Sequence, residues 1–281
     1  MINLLSSGFA RLKKSRLFWA FCIIAFLWSA LMNFLAYDSV TAFGEIYLTA
    51  SGGLYLMMPL FYIAPAEAIF CAFFIGTDYS DGTIRNKVLV GCHRKDVYLS
   101  NFILTCFAGL MFCAAHLLGT LLVGLPLIGP MIFTSVSYTL LRLFYSALVV
   151  ILTSAVFTAL CTLNSNKTHA VVIGILLSVA MIVVGVSVYA VLEEPEYYNR
   201  YVVTAEGEEK VETGIPNPRY VSSPARDVLE WVGAAIPMSA SLDMMEPSEE
   251  MPPIRIPLCQ AGLAVILTLA GIAAFERKDI K

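Results

Sequence analysis

Three ionisable side chains stand inside long apolar runs of this sequence: Glu67, His116 and Arg142. A charge held at mid-membrane costs on the order of 2.5 to 3.5 kcal/mol on insertion scales, so each is a candidate functional group. Each also has a plain structural reading. Glu67 can face a partner helix, His116 can stay neutral and bonded to a neighbouring carbonyl or hydroxyl, and Arg142 can reach the outer interface with its long stem. Signatures of covalent chemistry are missing. The chain has no HExxH, no GxSxG elbow and no GxxxxGK[ST] phosphate loop, and the seven cysteines make no CxxC pair. No enzyme activity, cofactor or metal is therefore expected. A glycosylation triplet at Asn166 to Thr168 falls on the side of the membrane where it would go unused.

A second constellation lies in the connection from Thr77 to Ser100. Its core, from Asp81 to Gly91, has the form of a short helix, with Asp81 or Thr83 able to supply an N-cap oxygen and Gly91 a left-handed terminator. Ile84, Val88 and Leu89 share one face of it. So short a helix is not stable alone, and an apolar face beyond the membrane asks for a partner groove.

The elements that must position these groups follow from composition. Hydrophobic residues make up 58% of the 281 and charged ones 14%, and the mean hydropathy is +0.77, which excludes an ordinary soluble protein. Six apolar runs are long enough to cross a bilayer as helices: 17 to 37, 53 to 76, 102 to 124, 138 to 163, 170 to 192 and 256 to 275. None alternates in polarity as a barrel strand would. Pro59 and Pro65 are expected to kink the second. Gly174, Gly185, Gly262 and Gly271 would allow close approach of the fifth and sixth, and no internal repeat is visible.

Orientation follows from lysine and arginine. Arg11, Lys13, Lys14 and Arg16 precede the first run; Arg85, Lys87, Arg94 and Lys95 lie between the second and third; Lys167 lies between the fourth and fifth; Arg277, Lys278 and Lys281 end the chain. The loops at 38 to 52 and 125 to 137 have none. Both termini are thus expected in the cytoplasm, and segment 193–255, with 13 acidic and 5 basic residues, outside. Ile2, Leu5, Phe9 and Leu12 recur at helical spacing with Arg11, Lys13 and Lys14 off their stripe, the pattern of an amphipathic helix on the inner leaflet. A net charge of -3 without a basic cluster gives no footprint for nucleic acid.

The run from Phe73 through Gly76, Thr77, Asp78, Tyr79, Ser80, Asp81, Gly82, Thr83, Ile84, Arg85 and Asn86, followed by His93-Arg94-Lys95, resembles the signature of type-2 ABC transporter permeases. The ending from Phe275 to Lys281 is similar to their tails. The resemblance implies an all-α membrane protein of six transmembrane helices. It implies an N-terminal elbow helix (1–16), spans one to five over 17–192 with a coupling loop at 77–100, an outer loop (193–255) carrying an interfacial helix near Ala225 to Ile236, and a last span and tail (256–281). It also implies a partner, a dimer of ATP-binding subunits in the cytoplasm. Asp81, Thr83, Ile84, Arg85, Asn86, Val88 and Leu89 are the expected contact residues. A second permease copy or a homologous permease completes the assembly in a bacterial plasma membrane, exporting a hydrophobic or amphipathic substrate such as a peptide, lipid or drug. The competing reading is a polytopic sensor or immunity protein whose acidic outer loop, with Tyr197, Tyr198, Tyr201, Tyr220 and Trp231, binds a ligand.

Overall fold

The structure is a computed structural model, and it describes residues 1–43, 55–129, 135–203, 209–246 and 251–279. Parts of the expected loops at 38 to 52, 125 to 137 and 193–255, and the last two residues of the tail, lie outside the described residues.

Six helices are long and apolar enough to cross a membrane, as the hydropathy predicts: Arg16–Asp38, Tyr55–Ser80, Arg94–Ile128, Val136–Leu163, Lys167–Leu192 and Arg255–Arg277. In chain order the elements are α1 (Ile2–Lys14), α2 (Arg16–Phe43), α3 (Pro59–Ser80), α4 (Thr83–Leu89), α5 (Arg94–Gly119), a π-helical turn (Thr120–Gly124), α6 (Leu125–Ile128), α7 (Val136–Leu163) and α8 (Lys167–Leu192). A two-stranded antiparallel hairpin follows, β1 (Tyr197–Val203) and β2 (Glu209–Pro216), and then α9 (Ala225–Ala235), α10 (Pro237–Met245) and α11 (Arg255–Arg277).

The third span is the largest departure from the sequence reading. It begins at Arg94 instead of residue 102 and runs to Ile128, 35 residues in all. Its early part carries Arg94, Lys95 and Asp96 yet stays helical, because Val97, Tyr98 and Ser100 there are buried. The expected loop 77–100 therefore shrinks to a short α4 and its two turns. Farther along, Gly119 lets α2 come close, since a Cβ there would meet Phe26 O at 2.8 Å. Thr120 Oγ1 lies 2.8 Å from Ser29 Oγ, and Asn33 donates to Ser29 O over 2.7 Å. The π turn coincides with this polar seam, as such bulges often do where a helix is locally re-aimed.

The core centres on α3, which packs against α5, α7 and α8 and buries Leu60, Ile63, Phe70, Cys71 and Ile75. Pro59 opens α3 after a turn at Met58, and Pro65 is carried inside the helix. The outward faces of α2 and α8 remain apolar, with Ile24, Leu27, Leu31, Leu176, Val179 and Val183 exposed, as lipid contact requires. α1 lies along α5, where the Phe9 and Phe107 rings meet edge to face at 5.1 Å. Gly185 admits α10 against α8, and Gly271 makes room for the Tyr98 ring. Gly262, expected to serve packing, faces open space.

Beyond α8 the segment expected to be loop plus one interfacial helix contains more. The β1–β2 hairpin pairs Tyr197 with Pro216 and Val203 with Glu209, interrupted by a bulge between Tyr198 and Arg200. α9 then falls close to its expected place, and Pro237 starts α10 instead of merely ending α9.

Candidate functional site

At the end of the bundle where α3 stops, Gly82 adopts φ +66, a left-handed conformation that glycine takes without strain, and turns the chain into α4. Neither Asp81 nor Thr83 supplies the expected cap. Asp81 closes α3 as its C-cap, and the N-cap of α4 is Gly82 without a side-chain bond. Gly91 has φ +95 and ends the turn after α4 in the expected manner.

The face expected to be shared by Ile84, Val88 and Leu89 is divided. Ile84 is 1% exposed and packs inside this chain with Val97, Tyr98 and Phe275. Burial of that side chain against its own bundle is worth about 1.5 to 3 kcal/mol. Leu89 and its neighbour Val90 stand out at 72% and 86% exposed, Arg85 and Asn86 are also exposed, and Val88 and Thr83 are half-buried. The helix is thus anchored on one side and bare on the other.

Asp78 completes the anchor. It is 3% exposed, and its two oxygens are taken by different elements: the Arg11 guanidinium of α1 bonds Oδ1, and Lys87 of α4 donates to Oδ2 over 3.0 Å. Arg11 also lies 3.8 Å above the Phe74 ring. Burial lowers Arg11 to about 10, and burial together with the nearby Arg11 charge lowers Lys87 to about 8. This ion triad joins α1, α3 and α4, and none of its members was singled out by sequence as a site residue. The signal available was an acid near the end of an apolar run with cations at residues 11 and 87.

The chain's end closes the same region. Lys278 donates to Thr162 O at 2.9 Å and to the Tyr79 hydroxyl at 3.0 Å, and Arg94 donates to the carbonyls of Phe275, Glu276 and Lys278. Burial brings Lys278 to about 8. Lys167, opening α8, reaches Thr77 Oγ1 at 3.3 Å and sits 4.4 Å over the Phe73 ring. Ends of α1, α5, α7 and α11 therefore gather with the end of α3 beside α4, and the start of α8 joins them through Thr77 and Phe73.

The three intramembrane candidates are not brought together. Glu67 is fully buried between α3, α5 and α7; Ser154 donates to its Oε1 over 2.6 Å, and Oε2 has no partner among the described residues. His116 donates from Nε2 to Tyr55 O at 3.0 Å, which leaves Nδ1 to accept from the Tyr62 hydroxyl at 2.9 Å. Arg142 reaches from α7 to the end of α10. It donates to the carbonyls of Asp243, Met244 and Glu246 at 3.3, 3.0 and 2.6 Å, capping the C-terminal end of α10 where the helix dipole favours a cation. An apolar cavity of about 540 Å³ lies between α2, α3 and α5, lined by Trp28, Phe61, Tyr62, Pro65 and Phe112 among others. Among the described residues, no three His, Cys, Asp or Glu side chains gather as a metal site.

Residues 4–182 match the family model described as ABC-2 family transporter protein. The match runs from α1 through most of α8 and includes Asp78, α4 and all three intramembrane candidates. No curated protein matches the sequence.

Proposed function

The chain belongs to the ABC-2 family of transporter membrane proteins, and from that premise we propose that it is the permease subunit of an ATP-driven exporter in a bacterial plasma membrane. The proposed division is an elbow helix (1–16), spans one to five with the coupling region (17–192), an extracellular segment (193–255), and the last span with a cytoplasmic tail (256–281). Both termini and α4 lie in the cytoplasm on this reading, because the lysines and arginines of the short connections gather there. Two soluble ATP-binding subunits hydrolyse the nucleotide, and a second permease copy or a homologue forms the other half. The cargo is hydrophobic or amphipathic.

The observation that carries this reading is the two-sidedness of α4. Its outer residues Arg85, Asn86, Leu89 and Val90, with Asp81 beside them, offer a mixed polar and apolar contact to the ATP-binding subunit, and Thr83 and Val88 border it. Ile84 and Lys87 hold the opposite side to α1, α3, α5 and α11. A displacement imposed on the bare face is then passed to the spans as a rigid body, because packed interfaces switch between arrangements more readily than they deform. Ile84 thus transmits the push from within instead of touching the partner.

A photo-crosslinking residue at Val90 tests the contact. It should capture the soluble ATP-binding subunit, whereas one at Val232, on the hairpin side of the bundle, should not; equal capture at both positions, or none at Val90, contradicts the assignment.

A further inference from the structure

Between α1, the end of α3, α4 and the start of α5 lies a cavity of about 250 Å³ that the mechanical reading leaves unused. Its wall carries polar side chains, among them Ser7, Arg11, Asp78, Asp81, Lys87 and Asn101, and Leu4 and Leu104 form an apolar patch on it. Two donors on this wall lack acceptors among the described residues. One is Nδ2 of Asn101, a side chain 1% exposed; the other is Nε of Arg11. A buried donor left unmade costs more than a paired one gains, so two of them beside one cavity indicate an acceptor that fills it.

The charges narrow what that acceptor is. Asp78 has both oxygens committed to Arg11 and Lys87, which leaves spare N–H groups on those two cations and on Asn101. Asp81 faces the same space and opposes any second negative charge. The two cations and two acids of the wall cancel, so the free N–H groups suit an acceptor that adds at most one negative charge and offers two free oxygens, and a dianion is opposed by Asp81. The apolar patch of Leu4 and Leu104 asks that the anion carry a hydrocarbon side. Burial has drawn Lys87 down to about 8, and an anion in the cavity would restore its preference for the charged form.

We propose that this cavity is a binding site for the phosphodiester of a membrane phospholipid, with Arg11 Nε and Asn101 Nδ2 donating to its non-bridging oxygens and Leu4 and Leu104 against its glycerol. The site stands whatever protein α4 contacts. Its place among α1, α3, α4 and α5 means that the lipid braces the junction in one arrangement.

The test uses the purified, delipidated chain and native mass spectrometry with three probes: dioleoylphosphatidylglycerol, dioleoylglycerol and inorganic phosphate. The expected result is one strongly retained phosphatidylglycerol per chain, no retained dioleoylglycerol, and no displacement by millimolar phosphate. Asn101→Leu should cut retention about tenfold. Ser7→Trp, which blocks the cavity from an exposed position and leaves the core intact, should do the same, so the proposal stays testable if the first variant folds poorly. Retention equal in wild type and Ser7→Trp would mean that the lipid is held elsewhere on the chain, and displacement by phosphate would mean a site for the free ion; either overturns the proposal.

Discussion

Lys87 on α4 donates to Asp78 at the end of α3 over 3.0 Å, and the only charge opposite that shared carboxylate is the Arg11 guanidinium of α1 among the described ion pairs. Removing the acid therefore leaves two cations facing each other across a covered space. Asp78→Asn is expected to cost about 2 kcal/mol, less than the 3–5 of a fully buried pair because both cations are partly in solvent. Thermal unfolding of the purified chain reads the loss. Arg11→Gln in the same background should recover part of it by removing one unpaired charge, and no recovery would mean that the triad is not an energetic unit.

Glu67 and Gly109 are fitted to one another. A Cβ at residue 109 would collide with Glu67 Oε1 and come within 2.9 Å of Val150. Gly109→Ala should therefore lower stability by about 1–3 kcal/mol through overpacking. Glu67→Gln keeps volume and the acceptor for Ser154, so it should preserve membrane abundance and transport. Loss of transport in Glu67→Gln at normal abundance would show that the carboxyl itself acts in transport.

Asp243 gives a pH signature. Burial, reinforced by Glu246 and Glu193 against the pull of Arg255 and Arg142, raises it from 3.8 to about 6. A carboxyl whose folded value lies above its unfolded one favours the fold while protonated, and that contribution is lost as pH rises through about 6. Asp243→Asn should therefore raise the melting temperature at pH 7.5 by the equivalent of about 1–3 kcal/mol, with the advantage gone by pH 4. The backbone carbonyl that Arg142 uses is untouched by this change. An advantage equal at both pH values would rule out titration of Asp243 as the cause.

The six spans were legible because lipid imposes a continuous apolar run, a signal that needs no knowledge of neighbours. Gly91 was legible for a similarly local reason. The start of the third span was not, since Arg94, Lys95 and Asp96 look like loop until the buried partners of Val97 and Tyr98 are known. Nor was the direction of Ile84: a helical wheel groups residues on a face without saying which body that face meets, and Phe275, which covers it, comes from the far end of the chain. Arg142 finds its carbonyl acceptors 101 to 104 positions away, beyond the reach of any local pattern. The hairpin of β1 and β2 was hidden because the net acidity of its segment dominates the reading, and its bulge breaks the period-two pattern.

The most direct test of the central claim, that this chain is the membrane half of an ATP-driven transporter engaged through α4, is ATP turnover by the purified chain alone and together with its soluble ATP-binding subunit. The account predicts no turnover by the chain alone, which lacks a phosphate loop, and co-purification with an active subunit. Leu89→Asp should abolish that association while leaving the melting temperature unchanged, because Leu89 is exposed; Ile84→Ala should lower the melting temperature, by about 2–5 kcal/mol of stability, because Ile84 is packed within the chain. Full association in Leu89→Asp, or ATP hydrolysis by the chain with no second subunit present, would contradict it.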